Sequence, residues 1–225
     1  MNTSTQISIY NMALSAVGVS RSVQSITEGS QQANTCNIFW DAVRDQVLQD
    51  FPWGFAMRYA DLQLTSKTIP GWLYVFTYPS DCLQARLVLP QPPGTLTEDD
   101  FYVPGYQGIF ADNFWYYWRN PNRRIPFAVV ENEAGGGLGI ATNVATPVLA
   151  YTARIKTIVL WSPAFVNALT WLLASKIVAP LAANSKYAET AGKAYEAAIL
   201  KAGALSMNEG VEKPETESEF ILARL

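Results

Sequence analysis

WSPAFVNALTWLLASKIVAP, residues 161–180, is the stretch on which the fold turns. Ser162 offers a side-chain oxygen to the first free N–H groups of a helix, and Pro163 suits the first helical position through its preset φ. Phe165, Leu169, Leu172, Leu173 and Ile177 leave little polar face, which predicts a helix buried on most sides. Pro180 is expected to end or kink it. Asn167 and Lys176 interrupt the apolar run from Ala164 to Ala179, which is short for crossing a bilayer. It therefore reads as the core helix of a soluble protein, and such a helix needs neighbours.

Three further helices are available. From about Ser4 to Val17, the residues Ile7, Tyr10, Leu14 and Val17 recur at steps of three and four, and Gly18 supplies a left-handed stop. Ser30 caps a second helix in which Ala33, Cys36, Trp40, Val43 and Val47 keep the same spacing, widened by Phe39 and Leu48. Asp41, Arg44, Asp45 and Gln49 are assigned to its wet side, and Pro52 ends it. A fourth helix, about Ser185 to Leu205, aligns Tyr187, Ala191, Tyr195, Ala198, Ala202 and Leu205.

Between the helical ends the period changes. Trp72–Tyr78, Gln84–Leu89, Ile125–Val130 and Val148–Ile155 are rich in β-branched and aromatic residues and bounded by Pro, Gly, Asn or Asp. Tyr78-Pro79-Ser80-Asp81 reads as a turn, Asn132 to Gly137 as a hairpin turn, and Gln91 to Arg124 as one long loop. The expected class is α+β: an antiparallel helical bundle made by the N- and C-terminal helices, with an inserted antiparallel β-sheet or sandwich lobe. The division that follows is 1–52 plus 162–207 for the bundle, 53–161 for the insert and 208–225 for a C-terminal arm.

Composition narrows function. The 225 residues are 49% apolar and only 16% charged, against roughly 25% charged in ordinary soluble domains. Charge depletion with many aromatics suits a protein that hides surface in an interface. The net charge is −3 with no cluster of cations, which argues against a groove that grips nucleic acid. The chain has no histidine and two cysteines, excluding imidazole catalysis, His-ligated zinc and Cys-His nucleophiles. Cys36 and Cys82 read as free thiols. No catalytic, cofactor-binding or metal-binding residue is nominated, and the N-terminus lacks the pattern of a signal peptide.

Several features invite chemistry. Gly135-Gly136-Gly137-Leu138-Gly139 could cradle phosphate only with a helix behind it. A strand follows instead, and Glu131 and Glu133 would repel the anion. Phe114-Trp115-Tyr116-Tyr117-Trp118 fits a core strand, an interface anchor or a sugar platform, with Trp115, Tyr116, Tyr117 and Trp118 the candidate contacts. Glu98, Asp99, Asp100, Asp112, Glu131 and Glu133 hold no fixed separation of the kind a glycosidase needs. Phe220, Ile221, Leu222 and Leu225 follow a flexible acidic stretch and fit either an arm that orders on a partner or a segment packed back on its own domain.

Taken in order, Ala13-Leu14-Ser15-Ala16-Val17-Gly18, Ile26, Glu28, Ala33, Cys36, Trp40, Asp41, Arg44, Leu48, Phe51, Trp53, Phe55 and Ala56 resemble the start of the phage tail tubular protein A family, the head-to-tail adaptors of short-tailed phages. Tyr78-Pro79-Ser80-Asp81-Cys82-Leu83, Thr142-Asn143, Tyr151-Thr152 and Ala168-Leu169 with Leu172-Leu173-Ala174 extend the resemblance over most of the chain; the loop 91–124 does not align. The resemblance implies a structural virion protein without catalysis, in the tail or neck and assembled in the host cytoplasm. It implies a homo-oligomeric ring, commonly a dodecamer, between the portal protein and the tail nozzle protein, with DNA passing through during ejection. Phe220, Ile221, Leu222 and Leu225 would then be the portal-binding arm, and Trp115 to Trp118 a nozzle or subunit contact. No membrane partner is expected. The alternative is a carbohydrate-binding or glycan-hydrolysing tail component.

Overall fold

The computed structural model describes residues 5–90, 124–133, 137–181 and 185–209. Among these it places four α-helices, α1 (Gln6–Ala16), α2 (Gln31–Asp50), α3 (Pro163–Leu181) and α4 (Ser185–Glu209). The six strands are β1 (Met57–Asp61), β2 (Tyr74–Thr77), β3 (Cys82–Pro90), β4 (Phe127–Glu133), β5 (Gly137–Thr142) and β6 (Pro147–Ala153). The class is α+β, and every strand pairing is antiparallel.

The helix boundaries follow their capping chemistry. At the start of α1, Thr5 Oγ1 accepts from Ser8 N at 3.2 Å, and Ser8 Oγ in turn accepts from Thr5 N at 2.8 Å, a reciprocal cap. Gly18 follows with φ +77°, a backbone state glycine adopts without steric cost. Ser30 caps α2 through Ala33 N at 3.2 Å, and Ser162 caps α3 through Phe165 N at 3.2 Å. Helix α3 continues through Pro180 to Leu181, so Pro180 does not terminate it. Proline in the last turn forfeits only one bond near a fraying end, and the Pro180 carbonyl accepts from Gln31 Nε2 at 3.4 Å. Helix α4 runs to Glu209, two residues into the stretch read as arm.

Helix α3 packs against α1, α2 and α4. Phe165, Leu169, Leu173, Ala168, Ala174 and Ile177 are fully buried along it. Its length and mean hydropathy of 1.5 would suit a membrane span, but 56% of that window is buried inside the molecule. A core helix explains the apolarity.

The strands form two three-stranded sheets, ordered β1-β6-β3 and β2-β5-β4. The β4–β5 hairpin runs from Phe127 opposite Thr142 to Glu133 opposite Gly137, so Asn132, Glu133 and Gly137 belong to strands and not to the turn. Strand β1 had no sequence signal, because its side chains are half-buried or exposed and Arg58 and Asp61 break any alternation. It forms as the edge partner of β6, whose residues are almost all buried.

One apolar cluster runs from the helices into both sheets, through Val88, Ile140, Leu149, Tyr151 and Ala153. Aromatic rings mark where the chain enters and leaves the β-rich middle. Phe165 makes edge contacts with Trp53 at 5.2 Å, Phe55 at 5.2 Å and Trp161 at 4.9 Å. Trp161 leads on to Trp40 at 5.9 Å, and Trp40 to Tyr10 at 5.2 Å. Both crossing tryptophans satisfy their indole N–H on a carbonyl six residues earlier, Trp53 on Val47 at 2.7 Å and Trp161 on Ile155 at 3.3 Å. Their buried polar atoms are thus satisfied within the core.

Candidate interaction surface

A polar network ties α2 to β3 and to the residue that follows β6. Arg44 was assigned to the wet side of α2, yet only 4% of it is exposed. Its stem lies in the core, and its guanidinium meets Asp41 Oδ1 at 2.6 Å and Asp45 Oδ1 at 2.7 Å. A long cationic side chain can bury its methylenes and still carry its charge to carboxylates at the rim. Asp45 also holds Arg154 Nε at 2.9 Å, just beyond β6. Further along, Asp81 accepts from Arg58 at 2.5 Å and from the Tyr151 hydroxyl at 3.0 Å. Burial, and then that bond to Asp81, push the Tyr151 phenol up to about 12.

Arg86 on β3 is the second buried cation. Its Nε donates to Thr152 Oγ1 at 2.8 Å, and one terminal nitrogen donates to the carbonyls of Leu48 at 3.2 Å and Gln49 at 2.7 Å. These are among the last carbonyls of α2, the end where a helix has unpaired acceptors and partial negative charge. Burial lowers the Arg86 pKa to about 10, opposed by the Asp50 carboxylate. Asp50 also accepts from the Tyr195 hydroxyl at 2.5 Å, so the end of α2 is joined to β3 and to α4. Sequence reading missed Arg86; a cation among Ala85, Leu87 and Val88 was the available signal.

Against this frame two exposed apolar surfaces stand out. The first lies on α1 and the start of α3. Helix α1 contains no charged residue, and neither does the run 157–175. An open groove of ≈ 380 Å³ is lined by Met12 and Ala16 from α1 with Pro163, Val166, Asn167, Thr170 and Trp171 from α3. Val159 and Leu160, in the 3₁₀ turn that precedes Trp161 and Ser162, are 54% and 55% exposed. The second surface lies on the β2-β5-β4 sheet and its approach, where Leu64, Leu73, Val129 and Leu138 are exposed. Val129 sits opposite Ile140, and Leu138 is two residues from Ile140, which puts Val129 and Leu138 on one face.

The two nominated contact sets, Trp115 to Trp118 and Phe220, Ile221, Leu222 and Leu225, lie outside the described residues, as do Glu98, Asp99, Asp100 and Asp112. Glu131 is exposed on β4. Cys36 is buried, Cys82 is half-buried and both are free thiols. Burial pushes them to about 12 and about 11, so neither is a poised nucleophile. Among the described residues no group of three His, Cys, Asp or Glu side chains could hold a metal ion.

The residues that carry the family resemblance occupy joints of the scaffold. Trp40, Arg44, Trp53, Phe55, Asp81, Tyr151 and Thr152 belong to the aromatic cluster and the ionic network above. Asn143 accepts from Leu73 N at 2.9 Å, and Thr142 donates to the Pro126 carbonyl at 3.1 Å. No family model and no curated protein matches this chain.

Proposed function

We propose that the chain is a structural virion protein, a head-to-tail adaptor whose copies form a ring between the portal and the tail nozzle. On this reading, the terminal helices act as a bundle that makes the ring contacts, and the strand-rich segment 53–161 is an inserted lobe directed at the next tail component. The ring encloses part of the DNA channel and does no chemistry.

The observation that carries the reading is the pair of apolar surfaces on different layers of the fold. One is the charge-free face of α1 and α3, and the other is the set of exposed apolar side chains on the β2-β5-β4 sheet and its approach, Leu64, Leu73, Val129 and Leu138. An adaptor needs two contacts that do not compete, and charge depletion marks the centre of a protein interface. A ring additionally requires heterologous contacts, in which different faces of neighbouring copies meet. The excess of acidic residues fits a channel that DNA passes without adhering.

Deletion of residues 210–225 tests the arm. Loss of co-sedimentation with portal, with circular dichroism and melting temperature retained, is the expected result. Unchanged co-sedimentation removes the arm from the portal contact.

A further inference from the structure

We infer that the α1–α3 groove of one copy receives the outward side of α4 from a second copy, a head-to-tail contact centred on Leu200. The inference rests on the adaptor reading for its setting, a ring, and deepens it by naming the two faces that meet.

The inserting face is a departure from pattern in α4. Ala191, Ala198 and Ala202 are buried, and α4 packs on α3, so this side holds the helix to its own fold. Leu200 stands two positions from both Ala198 and Ala202, which at 3.6 residues per turn points it almost directly away from them. There it is 76% exposed, the most exposed large apolar side chain among the described residues. Ala197 and Ala204, three positions before it and four after, are exposed on the same side. An outer helix ordinarily turns polar residues to water at this pole. In α4 the charges stand on the flanks instead, at Glu196 and Lys201. Between them Ala197 to Ala204 form a neutral ridge about 10 Å long.

The receiving face matches the ridge in shape, length and charge. Its groove of ≈ 380 Å³ lies between Met12 and Ala16 of α1 and the stretch of α3 from Pro163 to Trp171, which spans about 12 Å. Two neighbouring helices leave a trough that takes the side-chain ridge of a third. Leu200 is the side chain that enters, and the alanines on either side of it let the helix backbone come close. Neither α1 nor 157–175 carries a charge, so seating the ridge strips water from no ion there, while Glu196 and Lys201 stay hydrated at the rim.

A copy cannot fill its own groove in this way, because α3 is a wall of the groove and Leu200 points away from α3. Each copy therefore presents one empty trough and one uncovered ridge. Different faces of two copies meet, which is the heterologous contact from which a ring is built.

Two variants, Leu200→Asp and Met12→Lys, each spoil one face and leave the other intact. Both positions are exposed, and far-UV circular dichroism checks the fold. Ala197→Glu and Asn167→Arg, also at exposed positions, replace whichever variant fails to fold. Sedimentation velocity of the full chain without portal follows association up to about 1 mM, the limit of a specific contact. The wild type is expected to associate. Each variant alone should associate at least about thirtyfold more weakly, the effect of losing a central interface contact. An equal mixture of the two should form a 1:1 dimer that grows no further, because one good ridge and one good groove remain. A wild type that is monomeric throughout, a variant that associates like the wild type, or a mixture that stays monomeric overturns the inference. Portal binding is read separately by co-sedimentation. The expected dimer from a chain that leaves portal bare refutes the adaptor reading alone, and a portal-bound ring that survives Leu200→Asp refutes this inference alone.

Discussion

Replacing Phe165 with alanine is the sharpest probe of how the helical ends hold the strand-rich middle. The side chain is fully buried and touches both tryptophans that bracket that middle, Trp53 at 5.2 Å and Trp161 at 4.9 Å, as well as Phe55 at 5.2 Å. Truncating a buried phenylalanine costs about 3–5 kcal/mol in transfer and cavity terms. Each aromatic pair adds about 0.5–1.5 kcal/mol beyond burial. Three lost pairs place Phe165→Ala at the upper end, about 5 kcal/mol, a large share of the roughly 5–15 kcal/mol that holds a domain together. Leu169→Ala, one turn on and equally buried, keeps the rings and should cost about 2–4 kcal/mol. Phe165→Leu nearly conserves volume and isolates the ring contacts, at about 1.5–3 kcal/mol. Urea unfolding should be followed by far-UV circular dichroism and by tryptophan fluorescence in each variant. A Phe165→Ala loss no greater than that of Leu169→Ala would refute the role given to the cluster.

Arg86→Ala should cost about 2–4 kcal/mol, because it leaves the Leu48 carbonyl and the Thr152 hydroxyl short of a buried donor; chemical denaturation measures it, and a change under 0.5 kcal/mol would contradict the cap. Alkaline pH should destabilise the fold. Burial holds the Tyr10 and Tyr151 phenols up to about 12, and Tyr78 and Tyr195 are raised as well. A folded-state pKa above the unfolded value of about 10 gives stability that is complete below pH 10 and falls between pH 10 and 12. Melting temperature and absorbance at 295 nm should therefore change together; full tyrosine ionisation near pH 10 with an unchanged melt would refute this. Met12→Glu with Leu160→Lys places charge on the α1–α3 face at exposed positions, so the fold should keep its stability within about 0.5 kcal/mol while ring assembly is lost. Sedimentation velocity reads both, and an intact ring would remove that face from the subunit contact.

The helices were legible because their signals are local. Ser30, Ser162 and Pro163 announce starts, Gly18 a stop, and the three-four spacing of Ala33, Cys36, Trp40, Val43 and Val47 names the buried face. What was not legible depends on partners distant in sequence. Arg44 reads as solvated until Asp45 and Arg154 are placed beside it. Strand β1 exists because β6 offers an edge, and Arg86 is buried because the end of α2 lies over β3. The groove was likewise invisible: Met12 and Trp171 show ordinary helical spacing, and only the packing of α1 on α3 leaves a trough between them. The candidate contacts at 115–118 and 220–225 rest on aromatic content, on an apolar run after an acidic stretch, and on the family resemblance, none of which fixes what surrounds them. Without the sheets and helices around them, 115–118 fits a core strand, an interface anchor or a sugar platform, and 220–225 fits a partner-binding arm or a segment packed back on its own domain.

Mixing the purified full-length chain with its portal protein and imaging the product by electron microscopy tests the central claim most directly. The adaptor account predicts a closed ring of copies, commonly twelve, stacked coaxially on the portal with the strand-rich part turned away from it. A chain that stays monomeric and leaves the portal bare at micromolar concentrations of both would contradict it.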